Sequence, residues 1–184
     1  VLEVAQKELL DFQNTGMSVM ELSHRSATFE AVHNGAIELL RKIYNIPENY
    51  EVLFLQGGAS LQFTMIPMNF LSDGKTASYV QTGAWCEKAF KEAKFFGTPV
   101  EAASTKENKY KNIPSQEDIK FNADDAYVHI TSNNTIYGTQ WKVFPDTGDV
   151  PLVADMSSDI LSKPVDVSKF GIIYAGAQKN VAPA

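Results

Sequence analysis

The chain has 184 residues, of which 44% are hydrophobic and 21% charged, a composition that allows a sizeable core within one domain. Its formal net charge of −6 argues against a general nucleic-acid surface, because nonspecific affinity for phosphate backbones comes from clustered Lys and Arg. The single cysteine, Cys86, excludes an internal disulfide and a cysteine metal cluster, and without a membrane-length apolar run or a signal-peptide pattern the cytoplasm is the expected compartment.

The first part of the chain predicts two helices joined by a polar loop. Residues 2–12 are amphipathic, and residues 27–44 repeat apolar side chains at helical spacing until Pro47 interrupts the pattern. The loop between them contains His24 and Arg25. A guanidinium beside an imidazole suits a dianionic ligand, whereas the same pair taken alone is typical of an exposed loop.

A glycine turn follows the first predicted strand. Residues 51–56 predict a strand, the Gly-Gly pair at 57–58 begins a turn with Ala59 and Ser60, and residues 61–66 predict a helix. Backbone N–H groups at such a helix start can hold a phosphate without a basic side chain. A bare strand-to-helix turn is more often structural, and this one matches neither of the common glycine-rich nucleotide motifs.

Further strands alternate with helices along the rest of the chain. They are predicted at residues 76–81, 99–103, 127–131, 152–154 and 172–175. Trp85 lies near a helix start, where its ring could stack on a ligand or pack against the core. Thr135 follows a strand, where its hydroxyl could bind a ligand or make only the ordinary hydrogen bonds of a turn. Residues 104–123 predict a solvated excursion. The alternation favours a three-layer α/β fold with a mostly parallel sheet.

Two charged residues placed after apolar strands carry the clearest chemical signal. Asp155 ends the apolar run 151–154, and Lys179 follows the run 172–174 through a turn of small residues. A lysine that forms a Schiff base and an aspartate that pairs with a pyridinium nitrogen are the groups that pyridoxal phosphate chemistry needs most. Taken singly, Asp155 could equally cap the turn after it, and Lys179 would be a solvated surface lysine.

Four motifs, in the same order, resemble the phosphoserine aminotransferases, a family of class V pyridoxal-phosphate-dependent enzymes. They are GMSVMELSHRS at 16–26, FLQGGAS at 54–60, VADMSS at 153–158 and YAGAQKN at 174–180. The resemblance runs along essentially the whole chain. It implies the large domain of a fold-type I enzyme over residues 1–184, incomplete because family members begin earlier and continue into a small C-terminal domain.

The resemblance also implies roles for individual residues. Lys179 would be the catalytic Schiff-base lysine, Asp155 the partner of the cofactor's ring nitrogen, and Trp85 the ring that stacks on it. Thr135 would bind near the cofactor's phenolic oxygen.

Phosphate groups would be held by a second set of residues. Ala59, Ser60 and Gln178 would bind the phosphate of the cofactor. His24 and Arg25 would bind the phosphate of the substrate, in a site shared with the neighbouring subunit of a homodimer.

The implied reaction moves an amino group between glutamate and 3-phosphohydroxypyruvate to give O-phosphoserine and 2-oxoglutarate in serine biosynthesis. Two alternatives stay open: a cofactor-binding fragment without activity, and another class V enzyme such as a cysteine desulfurase. The latter normally needs a mobile catalytic cysteine, to which Cys86 beside Trp85 is poorly suited.

Overall fold

The structure is a computed structural model that describes residues 1–72 and 74–182. The chain divides into two compact units, Val1–Val52 and Leu53–Ala184. Within the described ranges, no helix combines the length and the apolar character needed to cross a membrane.

The first unit contains two helices, α1 (Leu2–Glu8) and α2 (Ala27–Tyr44). The bounds of α2 agree with the apolar spacing of the sequence. Ser26 caps the start of this helix with a hydroxyl that accepts a backbone N–H of the first turn, and Asn45, where φ is 48°, caps its end. The amphipathic pattern over residues 2–12 forms a shorter helix than predicted.

The second unit is built around a parallel sheet. Its elements are α3 (Gly58–Phe70), β1 (Thr76–Gln81), α4 (Ala84–Ala93), β2 (Thr98–Ser104), β3 (Val128–Thr131), β4 (Asn133–Asn134), β5 (Thr139–Gln140), β6 (Leu152–Asp155) and β7 (Ile172–Tyr174). Five strands pair in the order β2-β1-β3-β6-β7, and all of these pairs are parallel. The remaining two, β4 and β5, form a small antiparallel ribbon. The predicted α/β fold with a mostly parallel sheet is confirmed.

Both faces of the sheet are buried. Side chains such as Tyr79 and Val153 pack into a cluster with residues of α3 and α4. The alternate positions, such as Val80 and Leu152, pack into a second cluster with side chains such as Trp141 from the connecting segments. Helices therefore cover one face, and irregular segments cover the other.

The register of three neighbouring strands places polar residues side by side. Thr131 at the end of β3 is the partner of Asp155 on β6, and Asp155 is in turn the partner of Tyr174 on β7. Paired residues of adjacent strands point to the same face. Both the N–H and the hydroxyl of Ser132 donate to the Asp155 carbonyl, at 2.9 and 3.0 Å.

Two predictions about irregular segments need correction. Residues 51–55 form no strand, and Leu53, Phe54 and Leu55 are 70%, 51% and 53% exposed. A strand needs a backbone partner as well as apolar side chains, and all five strands of the sheet come from later segments. Residues 104–123 are not simply a solvated excursion, because they include 3-10 turns and bury Tyr110 and Ile119.

Candidate functional site

A cavity of about 330 Å³ opens at the carboxyl edge of the sheet in the second unit. Its wall combines the start of α3, the ends of β3 and β6, and the turn after β7. The residues that line it are Gly57, Gly58, Ala59, Ser60, Phe63, Trp85, Thr131, Asn133, Thr135, Asp155, Ser157, Ser158, Gly176, Ala177, Gln178 and Lys179. The structure thus brings together every predicted site residue of this unit.

Asp155 presents one carboxylate oxygen to its own turn and leaves the other without a hydrogen bond among the described residues. Oδ1 accepts the N–H of Ser157 at 2.9 Å and its hydroxyl at 2.6 Å. Burial raises the pKa of Asp155, while the two hydrogen bonds from Ser157 and the charge of Lys179 act in the opposite direction. Asp155 therefore caps a turn and also faces the cavity, so the turn cap does not exclude a ligand. A cation bound beside it would favour the ionised form.

Lys179 lies in the turn that leaves β7. Its backbone is left-handed, with φ of 55°, an uncommon conformation for a residue with a Cβ. The side chain is exposed, and Nζ donates to Thr135 Oγ1 at 3.4 Å. An amine that can attack a carbonyl and a hydroxyl that can bind a phenolic oxygen therefore lie side by side.

The start of α3 offers backbone donors to the same cavity. Gly57 and Gly58 have φ of 91° and 57°, and a Cβ on Gly57 would clash with the side chain of Leu61. The first N–H groups of a helix have no partner within the helix, so those at Ala59 and Ser60 are suited to an anion. The start of α3 and the side chain of Gln178 line the same cavity, so both could bind one phosphate group.

Trp85 occupies the first turn of α4. Its ring packs against the cluster beneath α3 and α4, and it also lines the cavity. The ammonium of Lys88 lies 4.5 Å from the centre of the ring. Trp85 therefore packs against the core and also faces the cavity, and its stacking on a ligand stays a prediction.

A buried polar network lies beneath the site. His129 Nε2 is 2.8 Å from Tyr174 Oη, Nδ1 is 3.9 Å from Cys86 Sγ, and Tyr79 stacks on the imidazole at 4.9 Å. Burial lowers the pKa of His129 to about 3, so the ring is neutral near pH 7. His129 therefore packs in the core of the second unit.

Several residues of the cavity were not predicted. Ser157, Ser158, Asn133 and Thr131 line it, and although the VADMSS motif includes the two serines, only Asp155 of that motif was given a role. The position of Ser157 two residues after an aspartate is a weak signal, typical of a turn in which the carboxylate accepts the following N–H groups.

His24 and Arg25 belong to the first unit. Both are exposed in the loop between α1 and α2, and the Arg25 N–H donates to Ser23 Oγ at 3.3 Å. Their predicted role in binding the substrate stays a prediction.

The donors of the cavity fit one kind of ligand. A carboxylate with one open oxygen suits a protonated ring nitrogen, a helix start suits a phosphate, and a lysine suits a carbonyl carbon. The buried Thr131 Oγ1 also lacks a hydrogen-bond partner among the described residues.

Comparison with known proteins agrees with this donor set. Residues 1–184 match the family model described as aminotransferase class-V. A phosphoserine aminotransferase of Lysinibacillus sphaericus (strain C3-41) is 75% identical, over 100% of this chain and 51% of the relative. The chain spans about half the length of the curated relatives it matches.

Solved structures show the same likeness. One, of a phosphoserine aminotransferase studied for radiation damage of its Schiff base, has a TM-score of 0.96 and 61% identity over 100% of this chain and 51% of that one. Another is of a PLP-bound phosphoserine aminotransferase from Trichomonas vaginalis. It has a TM-score of 0.88 and 39% identity over 100% of this chain and 52% of that chain. With a site of matching chemistry and a family match over its full length, the chain belongs to the class V aminotransferase family.

Proposed function

We propose that this chain is the cofactor-binding part of a phosphoserine aminotransferase, which exchanges amino and keto groups between glutamate and 3-phosphohydroxypyruvate in serine biosynthesis. The observation that carries the proposal is the convergence of Asp155, Lys179 and the start of α3 on one cavity. Relatives of that name, 75% and 62% identical, support it. On this proposal residues 1–184 are an incomplete large domain of a cytoplasmic homodimer.

Pyridoxal phosphate is the cofactor that the cavity fits. When bound, it supplies a carbonyl carbon that carries the amino group and a ring that withdraws electrons. Asp155 would hold the ring nitrogen, Trp85 would cover the ring, and Thr135 would bind the phenolic oxygen. The N–H groups of Ala59 and Ser60, together with Gln178, would hold the phosphate.

Two side chains then perform most of the protein's chemistry. The Asp155 carboxylate, which is 5% exposed, would hold its negative charge against the protonated ring nitrogen in a place that water scarcely reaches. Lys179 would hold the cofactor through its amine and, as the free amine, would take the proton from the α carbon of the amino donor. Thr135 Oγ1, 3.4 Å away, orients this amine.

His24 and Arg25 complete the proposal on the substrate side. Their exposed loop offers a guanidinium and an imidazole to a phosphate dianion, with residues of the neighbouring subunit taking part. Glutamate lacks a phosphate, so these two residues would distinguish the two substrates.

The alternative of a cysteine desulfurase finds no support at Cys86. Its thiol is 0% exposed, donates to the Val80 carbonyl at 3.1 Å, and has a pKa raised by burial. A buried, protonated thiol is a poor nucleophile.

Covalent labelling tests the role of Lys179. Full-length protein loaded with pyridoxal phosphate, reduced with borohydride and digested should carry the pyridoxyl group on the peptide of Lys179, and Lys179→Ala should carry none. Lys169→Ala, a matched control in the same unit, should label normally. Label on Lys163 or Lys169 in the wild-type protein would contradict the assignment. Label without turnover would instead indicate a cofactor-binding protein without activity.

Subunit mixing tests the shared substrate site. Arg25→Ala in the full-length enzyme should weaken the binding of 3-phosphohydroxypyruvate far more than the binding of glutamate. A mixture of Arg25→Ala and Lys179→Ala subunits should recover activity, because one site of each heterodimer would then have both residues. Failure to exceed either parent would refute a shared site.

A further inference from the structure

Thr131 has a hydroxyl that the folded chain does not satisfy. The residue ends β3, is 3% exposed and borders the cavity, and its Oγ1 accepts and donates no hydrogen bond among the described residues. Valine would fill the same space in a buried strand without a hydroxyl, and an unpaired buried polar group destabilises a fold. The hydroxyl at this position therefore calls for a partner that forms in another state of the site.

Asp155 is a candidate partner for this hydroxyl. The two residues are register partners on adjacent strands, which lie about 4.8 Å apart, and both side chains line the same cavity. Ser157 occupies Oδ1 of the carboxylate, while Oδ2 has no partner among the described side chains. A threonine hydroxyl is a donor that turns about χ1, and a carboxylate oxygen accepts more than one hydrogen bond.

We propose that Thr131 is a positioning residue for Asp155: in the loaded site its hydroxyl donates to Asp155 Oδ2. The inference rests on the proposed function, because it concerns the carboxylate that holds the cofactor's ring nitrogen. Ser157 on Oδ1 and Thr131 on Oδ2 then fix the plane of the carboxylate and favour its charged form.

A pH profile reports this interaction because a donor to the carboxylate lowers its pKa. The titratable groups that face Asp155 come from β7, α4 and the turns after β6 and β7, and they are Tyr174, Cys86, Asp159 and Lys179. Burial raises the pKa of Tyr174 and of Cys86, which keeps both neutral through the working range. The wild-type protein and a Thr131 variant share these four groups and the titratable groups of the cofactor. Any difference between their pH profiles therefore reports the Thr131 hydroxyl.

The test is a titration of full-length apo protein with pyridoxal phosphate from pH ~4 to pH ~8, followed by tryptophan fluorescence. This range begins near the ordinary pKa of an aspartate, about 3.9. Thr131→Val should bind roughly 3- to 10-fold more weakly at neutral pH. Its loss of affinity towards low pH should begin about half a unit to one unit higher than in the wild-type protein, since Asp155 then protonates more easily. Thr131→Ser keeps the donor and should follow the wild-type profile.

Stability of the apo protein supplies the control. Thr105 also has a buried Oγ1 without a partner in the described ranges, but it does not line the cavity. Thr131→Val and Thr105→Val should both raise the thermal midpoint of the apo protein, by about 2 °C, whereas only Thr131→Val should weaken binding.

Four results would overturn the proposal or its basis. If Thr131→Val binds pyridoxal phosphate as tightly as the wild-type protein, Thr131 does not position Asp155. If the apo form of Thr131→Val has a lower thermal midpoint than wild-type apo protein, the hydroxyl is already hydrogen-bonded without cofactor. Weaker binding with an unshifted profile assigns the hydroxyl to the cofactor itself and not to Asp155. A wild-type protein that binds no pyridoxal phosphate refutes the proposed function before any variant is made.

Discussion

Acid should destabilise the apo protein through His129. The imidazole is 2% exposed on β3 and has its pKa lowered by burial to about 3, whereas an unfolded chain restores a value of about 6.5. Between these values the unfolded state binds one more proton than the folded state. The free energy of unfolding should therefore fall by about 1.4 kcal/mol per pH unit below pH ~6, and by about 5 kcal/mol in all near pH ~3.

Hydrogen bonding explains why the neutral ring is well accommodated. Tyr174 Oη, 2.8 Å from Nε2, can donate to it, which leaves the proton of the imidazole on Nδ1 and directed to Cys86 Sγ. The thiol in turn donates to the Val80 carbonyl. A second proton on the ring would find no acceptor at Nε2 once Tyr174 donates there.

Urea unfolding of the apo protein at a series of pH values measures the effect. His129→Asn should lose stability at pH ~7, because Tyr174 loses its acceptor, yet its slope against pH should be smaller by about one proton. Tyr174→Phe is the matched control, since it removes a hydrogen bond but keeps the buried imidazole and so the slope. Equal slopes for His129→Asn and the wild-type protein would refute the reasoning, since all other titrating groups are shared.

Three further substitutions have expected outcomes. Gly83→Ala places a Cβ 2.7 Å from Asn134 Oδ1 and should lower the thermal midpoint by several degrees, whereas Gly35→Ala in α2, with open space around its Cβ, should not. Asp125→Ala leaves two hydroxyls and a backbone N–H without their acceptor and should cost about 3 kcal/mol in urea unfolding; a loss below about 1 kcal/mol would contradict the burial of these donors. Asp155→Asn in the full-length enzyme should slow half-transamination, measured by rapid mixing, far more than it weakens cofactor binding, and equal rates would reduce Asp155 to a turn cap.

The sequence predicted those parts of the site that follow from strand ends. Asp155 and Lys179 were expected at one edge of the sheet because each comes after a short apolar run, and both line the cavity. Parallel strands buried on both faces have nearly continuous apolar sequences, which makes them easy to recognise. The bounds of α2 were equally accessible, since Ser26 is a favoured cap and Asn45 tolerates a left-handed backbone.

Other features depend on pairing that no local pattern contains. The apolar run at residues 51–56 predicted a strand, but strand formation requires a neighbour, and this run belongs to neither sheet. Thr131 was missed because its importance arises from its register with Asp155, on a different strand. The choice between capping and ligand binding at Asp155 was also misleading, because a carboxylate has two oxygens and can do both.

The register of Asp155 with Thr131 and Tyr174 has a consequence for folding fidelity. Both faces of β6 are buried, so its apolar residues would be accommodated almost equally well if the strand slipped by one position. A slip would carry Asp155 to the opposite face, into the apolar cluster, where a carboxylate is costly to bury. The carboxylate that faces the cavity therefore also favours one alignment of its strand. An apolar residue in place of Asp155 would therefore allow β6 to pair in more than one register, in addition to removing the carboxylate from the cavity.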